Sequence, residues 1–281
     1  EIHRTRGRIS CIVDVETTLV LSSSINDREI KETTHAIKQL RELNQVMDLK
    51  KSITTFDRGY VSVELIASML MLETFFIIRL KKNSFKNERK WIGEDDIIYL
   101  NLNRARTNNI EDPEIKKYVI RLKRLPLRVV TVKLDNGEEE YLLTNIFDDS
   151  FKTGDFKALY NKRWKTETNF DDLKNMVKIE NFSGYKREII EQDFYNQILR
   201  YNFSRILQID AEKHKTRKEN PNTKTKHQCK LSYCINQCVS KLLKILMSEY
   251  EEKKRILKSI VKKASKCIST TPKEPPSNSN R

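Results

Sequence analysis

Glycine is scarce, six residues in 281, and none belongs to a G-x-x-x-x-G-K or G-x-G-x-x-G run. A phosphate-cradling nucleotide loop is therefore not expected, and neither is ATP as a ligand. Long apolar runs are missing too. The longest, around Leu65 to Ile78, contains Glu73 and is shorter than the ~18 residues that would suggest a membrane span. With no signal-peptide pattern either, no membrane partner is expected. The five cysteines (Cys11, Cys229, Cys234, Cys238, Cys267) form an odd, unevenly spaced set, which argues against a disulfide framework and for a reducing, intracellular setting. Charge balance is also absent: 54 Lys and Arg face 39 Asp and Glu, a formal +15. Such an excess points to a polyanionic partner, nucleic acid first. A hydrophobic content of 38% suffices for a core, in one large domain or two small ones.

Periodicity then organises the chain. Arg8 to Ile25 reads as a hairpin with its turn near Glu16 to Thr18. Asn26 and Asp27 are cap candidates for a helix through about Asn44, with Ile30, Ile37, Leu40 and Leu43 at helical spacing. Ser52 to Phe56 reads as a strand ending at Asp57-Arg58-Gly59-Tyr60. Ser62 can cap a helix through Leu72, and Phe75 to Leu80 is a buried-looking strand. This order predicts an α/β layer arrangement. From residue 81 to 149 the texture turns to short β-like pieces (Ile97 to Leu102, Tyr118 to Leu122, Leu127 to Leu134, Glu140 to Ile146), with a hairpin signal at Asp135-Asn136-Gly137. A helix follows from about Asp155 to Val177, and another from about Lys186 to Leu207. Residues 211–230 read as an exposed basic segment, Leu231 to Val261 as one amphipathic basic helix, and the tail from Ser269 as disordered.

The stretch Leu159 to Gly184, LYNKRWKTETNFDDLKNMVKIENFSG, carries the most chemistry. It sets Tyr160, Arg163, Glu167 and Lys174 at offsets that, on one helix, fall within roughly 60° of arc. Leu159, Phe170, Leu173 and Val177 would form a neighbouring apolar face, leaving Glu167 at the edge of a sheet. An ordinary i,i+4 ion pair between Arg163 and Glu167 would explain part of the pattern. One carboxylate does not make a metal site. Asp57, where a strand gives way to a Gly-bearing loop, is the best partner candidate, although an Asp before Arg-Gly can equally be a turn former. Mg²⁺ takes hard oxygen ligands, usually one or two carboxylates with substrate phosphates, and two such ions about 4 Å apart serve in-line phosphoryl transfer. His227, Cys229, Cys234 and Cys238 match no common zinc spacing, and Cys234 and Cys238 can simply share a helix face. The basic region from Lys213 to Lys266 suits DNA backbone binding, or is a solvated surface.

TFDRGYVSVELI, FFIIRLKK, YLLTNIF and the Y-x2-R-x3-E-x6-K segment ending in FSG occur in that order. Together they resemble the insertion-sequence-four family of bacterial DDE transposases, from about Ser10 to Leu207. The resemblance implies an RNase H-like mixed sheet flanked by helices, with a β-rich insertion before the last catalytic helix and a basic helical C-terminal region. It divides the chain at 1–80 and 150–210 for the core, 81–149 for the insertion, 211–268 for the basic region and 269–281 for the tail. It implies two Mg²⁺ (or Mn²⁺) ions held by Asp, Asp and Glu, in which Asp57 matches the second Asp and Glu167 the Glu as catalytic and metal-binding residues. Tyr160, Arg163 and Lys174 match residues that engage DNA near the scissile phosphate. Arg163 offers a planar fork to phosphate, Lys174 a point charge and Tyr160 a hydroxyl. Arg58 is a further candidate phosphate contact, and Trp164 a base-stacking platform or a packing residue.

The implied partners are double-stranded DNA, as element terminal inverted repeats and target, and a second copy of the protein in a synaptic complex. The implied setting is the bacterial cytoplasm, associated with the nucleoid. The chain departs from the family pattern at the first catalytic Asp, expected on a strand upstream of Arg8 to Asp14; Asp14 matches a non-catalytic position. Since the sequence begins at Glu1 and not Met, it reads as an N-terminally truncated or decayed copy, with little or no cleavage expected of it. The competing readings are a non-enzymatic DNA-binding remnant and an RNase H-like nuclease with other biology.

Overall fold

The structure is a computed structural model that describes residues 7–134, 137–215 and 225–272. The chain divides into two compact units. Among the described residues, one comprises the stretch from Gly7 to Ile12 together with Asn26–Arg163; the other comprises Val13–Ile25 and the described chain from Trp164 onward. The expected α/β class is what the structure shows: a mixed five-stranded sheet with helices on both faces.

Strands β1 (Gly7–Val13) and β2 (Val20–Asp27) form a two-stranded sheet, as the hairpin pattern predicts. Its turn is closed from Asp14, whose backbone N–H donates to Leu19 O at 2.9 Å and whose carbonyl accepts from Thr18 N at 2.7 Å. The Asp14 carboxylate accepts from the Glu16 and Thr17 N–H groups and from the Thr17 hydroxyl, so it is spent on the turn. Asn26 and Asp27 do not cap the next helix, because β2 runs through them. Helix α1 (Glu32–Asn44) starts after Lys31, and the Asn26 amide instead meets His35 Nδ1 at 3.1 Å.

The large sheet has the order β3 (Ile53–Phe56), β4 (Phe75–Arg79), β7 (Glu139–Thr144), β6 (Arg124–Lys133), β5 (Asp95–Asn101). The β3–β4 pair is parallel because helix α2 (Val63–Met71) crosses between them; the other pairs are antiparallel. Ser62 caps α2 as predicted, its hydroxyl accepting from Leu65 N at 3.0 Å. Three of the β-like pieces of residues 81–149 complete this sheet, as β5, β6 and β7. Tyr118 to Leu122 is corrected from strand to the end of helix α4 (Pro113–Leu122), which follows the short α3 (Arg104–Thr107). The Asp112 carboxylate caps α4 by accepting from Glu114 N at 2.9 Å and Ile115 N at 3.0 Å, with Pro113 at the first helical position. Strands β6 and β7 pair in register Lys133↔Glu139 around Gly137, whose φ of +83° favours glycine. Asp135 and Asn136 of that turn signal lie outside the described residues.

Alternation along the strands decides which side chains meet which helices. Phe76, Ile78, Leu127, Val129 and Leu143 share one core with Leu40, Leu65, Ile66 and Val119 of the helices. Ile77, Val130, Val132 and Leu142 point the other way and pack with Phe156 and Tyr160 of helix α5 (Thr153–Asn161). Arg128 fixes the connection into α5: it forks onto Asp95 at 2.6 and 2.7 Å and donates to the carbonyls of Asp148 at 3.0 Å and Phe151 at 2.9 Å.

The single helix expected from Asp155 to Val177 is two, α5 and α6 (Trp164–Asn175). At the break Arg163 N donates three residues back, to Tyr160 O at 3.0 Å, tightening the turn at Lys162 and Arg163. The second unit continues with α7 (Arg187–Lys213), β8 (Thr225–Cys229), α8 (Leu231–Met247), α9 (Tyr250–Ala264) and β9 (Ile268–Pro272). The expected helix from Leu231 to Val261 is thus also two, interrupted where Ser248 and Glu249 adopt extended backbone. The segment 211–230 is corrected at both ends, since α7 runs through Lys213 and β8 pairs antiparallel with β9. That pairing also orders residues 269–272 of the expected tail; residues 216–224 and 273–281 lie outside the described residues. Cys229, Cys234 and Cys238 are buried with Leu207, Ile245 and Ile260, and Cys238 Sγ accepts from the Ser204 hydroxyl at 3.2 Å.

Candidate functional site

Asp57 is placed by the parallel β3–β4 pair. Phe56 is in register with Ile78, so the next residues along, Asp57 and Arg79, emerge side by side at the C-terminal ends of their strands. The Arg79 guanidinium reaches Asp57 Oδ1 at 3.1 Å with one nitrogen and Glu140 Oε1 at 2.6 Å with another. Tyr160, near the end of α5, donates its hydroxyl toward the same Asp57 Oδ1 at 3.5 Å, the outer limit of a hydrogen bond. The Arg163 guanidinium lies 5.5 Å from the centre of the Tyr160 ring. Asp57, Arg79, Glu140, Tyr160 and Arg163 thus form one neighbourhood within one unit.

Its electrostatics follow from that geometry. Burial of Asp57 opposes its ionisation, but the Arg58 backbone N–H and the charges of Arg79, Arg163 and Arg58 prevail and hold its carboxyl below the ordinary 3.8. Burial pushes the Tyr160 hydroxyl up to about 12, so it remains a donor at neutral pH. Arg58 is exposed on the short 3₁₀ turn Arg58–Tyr60. The site therefore presents an ionised, half-buried carboxylate among guanidinium groups.

A lowered carboxyl pKa contributes stability above the unfolded value of 3.8, and this contribution is lost as pH falls through the folded value. Replacing Arg79 with Met is expected to raise the Asp57 pKa toward the ordinary range and to weaken that acid-range dependence. Carboxyl ¹³C NMR titration of Asp57 checks this; an unchanged titration in Arg79→Met would contradict the assigned ion pair.

Glu167 and Lys174 lie on α6 in the other unit, so the helix break divides the four-residue stripe predicted for one helix. Glu167 is half-buried in the first turn of α6, an end that favours negative charge. The helix is pinned beside it: Asn169, 1% exposed, donates its amide to Thr18 O at 2.7 Å and to the Tyr201 hydroxyl at 3.0 Å. Lys174 is exposed, with Glu180 at 3.6 Å. Trp164 is the first residue of α6 and half-buried. The α6 C-terminus closes through a Lys178 in the left-handed region (φ +57°) and an Ile179 N–H bond to Leu173 O at 3.0 Å.

Sequence reasoning missed Arg79 and Glu140. Arg79 had a signal, as the charged residue ending the apolar run FFIIR. Glu140 had none, because the sheet brings it to Arg79 from 61 residues away. As metal ligands, carboxylate oxygens are of the right kind for a hard divalent ion. Their number is short: among the described residues, no group of three or more His, Cys, Asp or Glu is placed to hold a metal ion. No helix among them is long and apolar enough to cross a membrane.

Comparison with known proteins gives this geometry a family. Residues 3–203 match the model of the transposase DDE domain. The transposase InsG for insertion sequence element IS4 of Escherichia coli (strain K12) is 25% identical over 169 residues, which cover 58% of this chain and 36% of that protein. The matched region is thus about a third of the curated relative's length. Among solved structures, the piggyBac transposase synaptic complex with hairpin DNA aligns over 98% of this chain and 53% of its own, at a TM-score of 0.47 and 15% identity. The family match spans well over half of the chain: it belongs to the transposase DDE domain family.

Proposed function

We propose that this chain is the catalytic region of an insertion-sequence DNA transposase with an RNase H-like core, which binds element ends and works by divalent-metal-dependent strand cleavage and transfer. The observation that carries the reading is the ionised Asp57 at the C-terminal end of β3, set among Arg58, Arg79 and Arg163. The family match supports it, as does the formal charge of +15.

In this reading Asp57 and Glu167 supply carboxylate oxygens to the metal, an assignment that rests on the motif match. When bound, Mg²⁺ or Mn²⁺, two ions in the complete site, supplies positive charge to the attacking and leaving oxygens of an in-line displacement. Arg163 orients the scissile phosphate through its planar fork, and Tyr160 donates a hydrogen bond from a hydroxyl that stays protonated. Arg58 and Lys174 engage neighbouring phosphates, and Trp164 lies against the DNA. The DNA is double-stranded, as terminal inverted repeats and as target, and the working assembly is a homodimer in the bacterial cytoplasm on the nucleoid.

Since none of the 281 residues matches the family's first Asp, the chain by itself is proposed to bind DNA without cutting it. That feature also keeps a second reading alive, a DNA-binding remnant without turnover. The test is an end-cleavage assay with Mg²⁺ on a polypeptide extended upstream to carry a strand with that Asp. Cleavage supports the enzyme; duplex binding without cleavage selects the remnant.

A further inference from the structure

A groove of about 1210 Å³ runs between α7 and α9, with the β1–β2 turn contributing Thr17 and Leu19. Its floor is apolar, made by Leu19, Phe203, Ile206, Leu257 and Val261. Ile206 on this floor is 52% exposed and continues an apolar track along the outer face of α7 through Leu199 at 62% and Tyr195 at 50%. Positions 195, 199 and 206 share one helical face over roughly 17 Å. The rim is basic: Lys254, Lys258, Lys262 and Lys266 recur every fourth residue along α9 and its end, and Lys213 faces them from α7. Asp210 is the one acid in this lining, and it already lies 3.5 Å from Lys213.

The lysine row works against the helix that carries it. Like charges at i,i+4 oppose helix formation. The macrodipole offsets this for Lys262, in the last turn, but not for Lys254, which lies toward the N-terminus. Among the described residues Lys258, Lys262 and Lys266 have no ion-pair partner. Charge and shape together therefore specify an occupant with an apolar face and acidic flanks. The volume equals roughly three turns of a helix 10 Å across. A DNA duplex would satisfy the rim alone, because its phosphates gain nothing from an apolar floor. A small ligand would leave much of the track open, since such pockets run to about 1,000 Å³.

We infer that the α7–α9 groove is a docking site for an acidic amphipathic helix of a partner protein, seated with its apolar stripe on Ile206 and Leu257 and its carboxylates against the α9 lysines. This mode is helix-in-groove recognition, in which anchors at helical spacing give affinity and rim charges give orientation. It does not rest on the catalytic reading above.

The experiment uses the whole 281-residue chain and a fluorescein-labelled 18-residue peptide with leucine along one helical face and glutamate elsewhere. Fluorescence anisotropy at 0.15 M salt, an ionic strength that screens scattered surface charge, is expected to show saturable binding. A peptide with lysine replacing every glutamate should not bind. Ile206→Asp and the double variant K258E/K262E should each weaken the acidic peptide at least about tenfold, with circular dichroism melts unchanged because all three positions are exposed. No binding of the acidic peptide overturns the inference. So does binding that K258E/K262E weakens but Ile206→Asp does not, since that marks unspecific charge attraction. A 20-base-pair duplex is run in parallel. If the duplex binds, K258E/K262E reduces that binding and the peptide does not bind, the lysines serve DNA and the inference fails.

Discussion

Changing Glu167 to Gln, or Asp57 to Asn, is expected to lower element-end cleavage by about 10³-fold, roughly 4 kcal/mol of transition-state stabilisation. Both substitutions preserve size and exchange one carboxylate oxygen for an amide nitrogen; because Asp57→Asn also gives up the ion pair with Arg79, circular dichroism melts of both variants are compared with the parent to exclude loss of folding. The upstream-extended polypeptide serves as parent, and rates are taken at saturating Mg²⁺ from single-turnover strand scission. DNA affinity and its salt dependence should be retained or slightly improved, because backbone binding is carried by Lys and Arg and each substitution removes a negative charge. This separates a ligand role from a binding role. Cleavage within a few-fold of the parent in either variant would remove that residue from the site.

The second large effect is structural. Phe156 is fully buried on α5 with Ile77, Val130, Leu142 and Tyr160, and the Arg128 guanidinium lies 5.0 Å from its ring centre. Phe156→Ala should destabilise the unit formed around Asn26–Arg163 by about 3–5 kcal/mol, since the rigid sheet behind the ring cannot collapse into the cavity. That is a large share of the ~5–15 kcal/mol typical of a domain. Urea unfolding followed by tyrosine fluorescence and far-ultraviolet circular dichroism measures it. A loss below about 1 kcal/mol would mean that α5 is not seated as described, and Tyr160 would lose its fixed place beside Asp57.

The limits of what the sequence conveys follow from the range of the forces involved. Ser62, the strand ending at Asp57 and the β-like runs that became β6 and β7 were legible because their signals are local: a cap, a loop and a hairpin turn between two apolar runs. Helix α4 was misread at Tyr118 to Leu122, where β-rich residue types outweighed the Asp112-Pro113 start and the buried pair Ile115 and Val119, four residues apart. The break between α5 and α6 had no signal, as neither glycine nor proline occurs at Lys162 or Arg163 and the turn tightens through one backbone hydrogen bond. β8 and β9 were hidden because each is polar and is stabilised by a partner about 40 residues away.

At the site, Asp57, Tyr160 and Arg163 were named from the sequence and lie in one neighbourhood. Arg79 and Glu140 were absent from that reading because sheet register, set by non-local pairing, brings them to Asp57 and to each other.

The central proposal is that Asp57 and Glu167 are ligands of a divalent metal, and iron-directed backbone cleavage tests it most directly. Fe²⁺ replaces Mg²⁺ and, with ascorbate and peroxide, cuts the polypeptide next to the side chains that hold it. Two cuts are predicted, one beside Asp57 and one beside Glu167, both suppressed by excess Mg²⁺ and each lost in the matching Asp57→Asn or Glu167→Gln variant. Magnesium-sensitive cuts elsewhere in the chain, with neither of these two positions cleaved, would contradict the account.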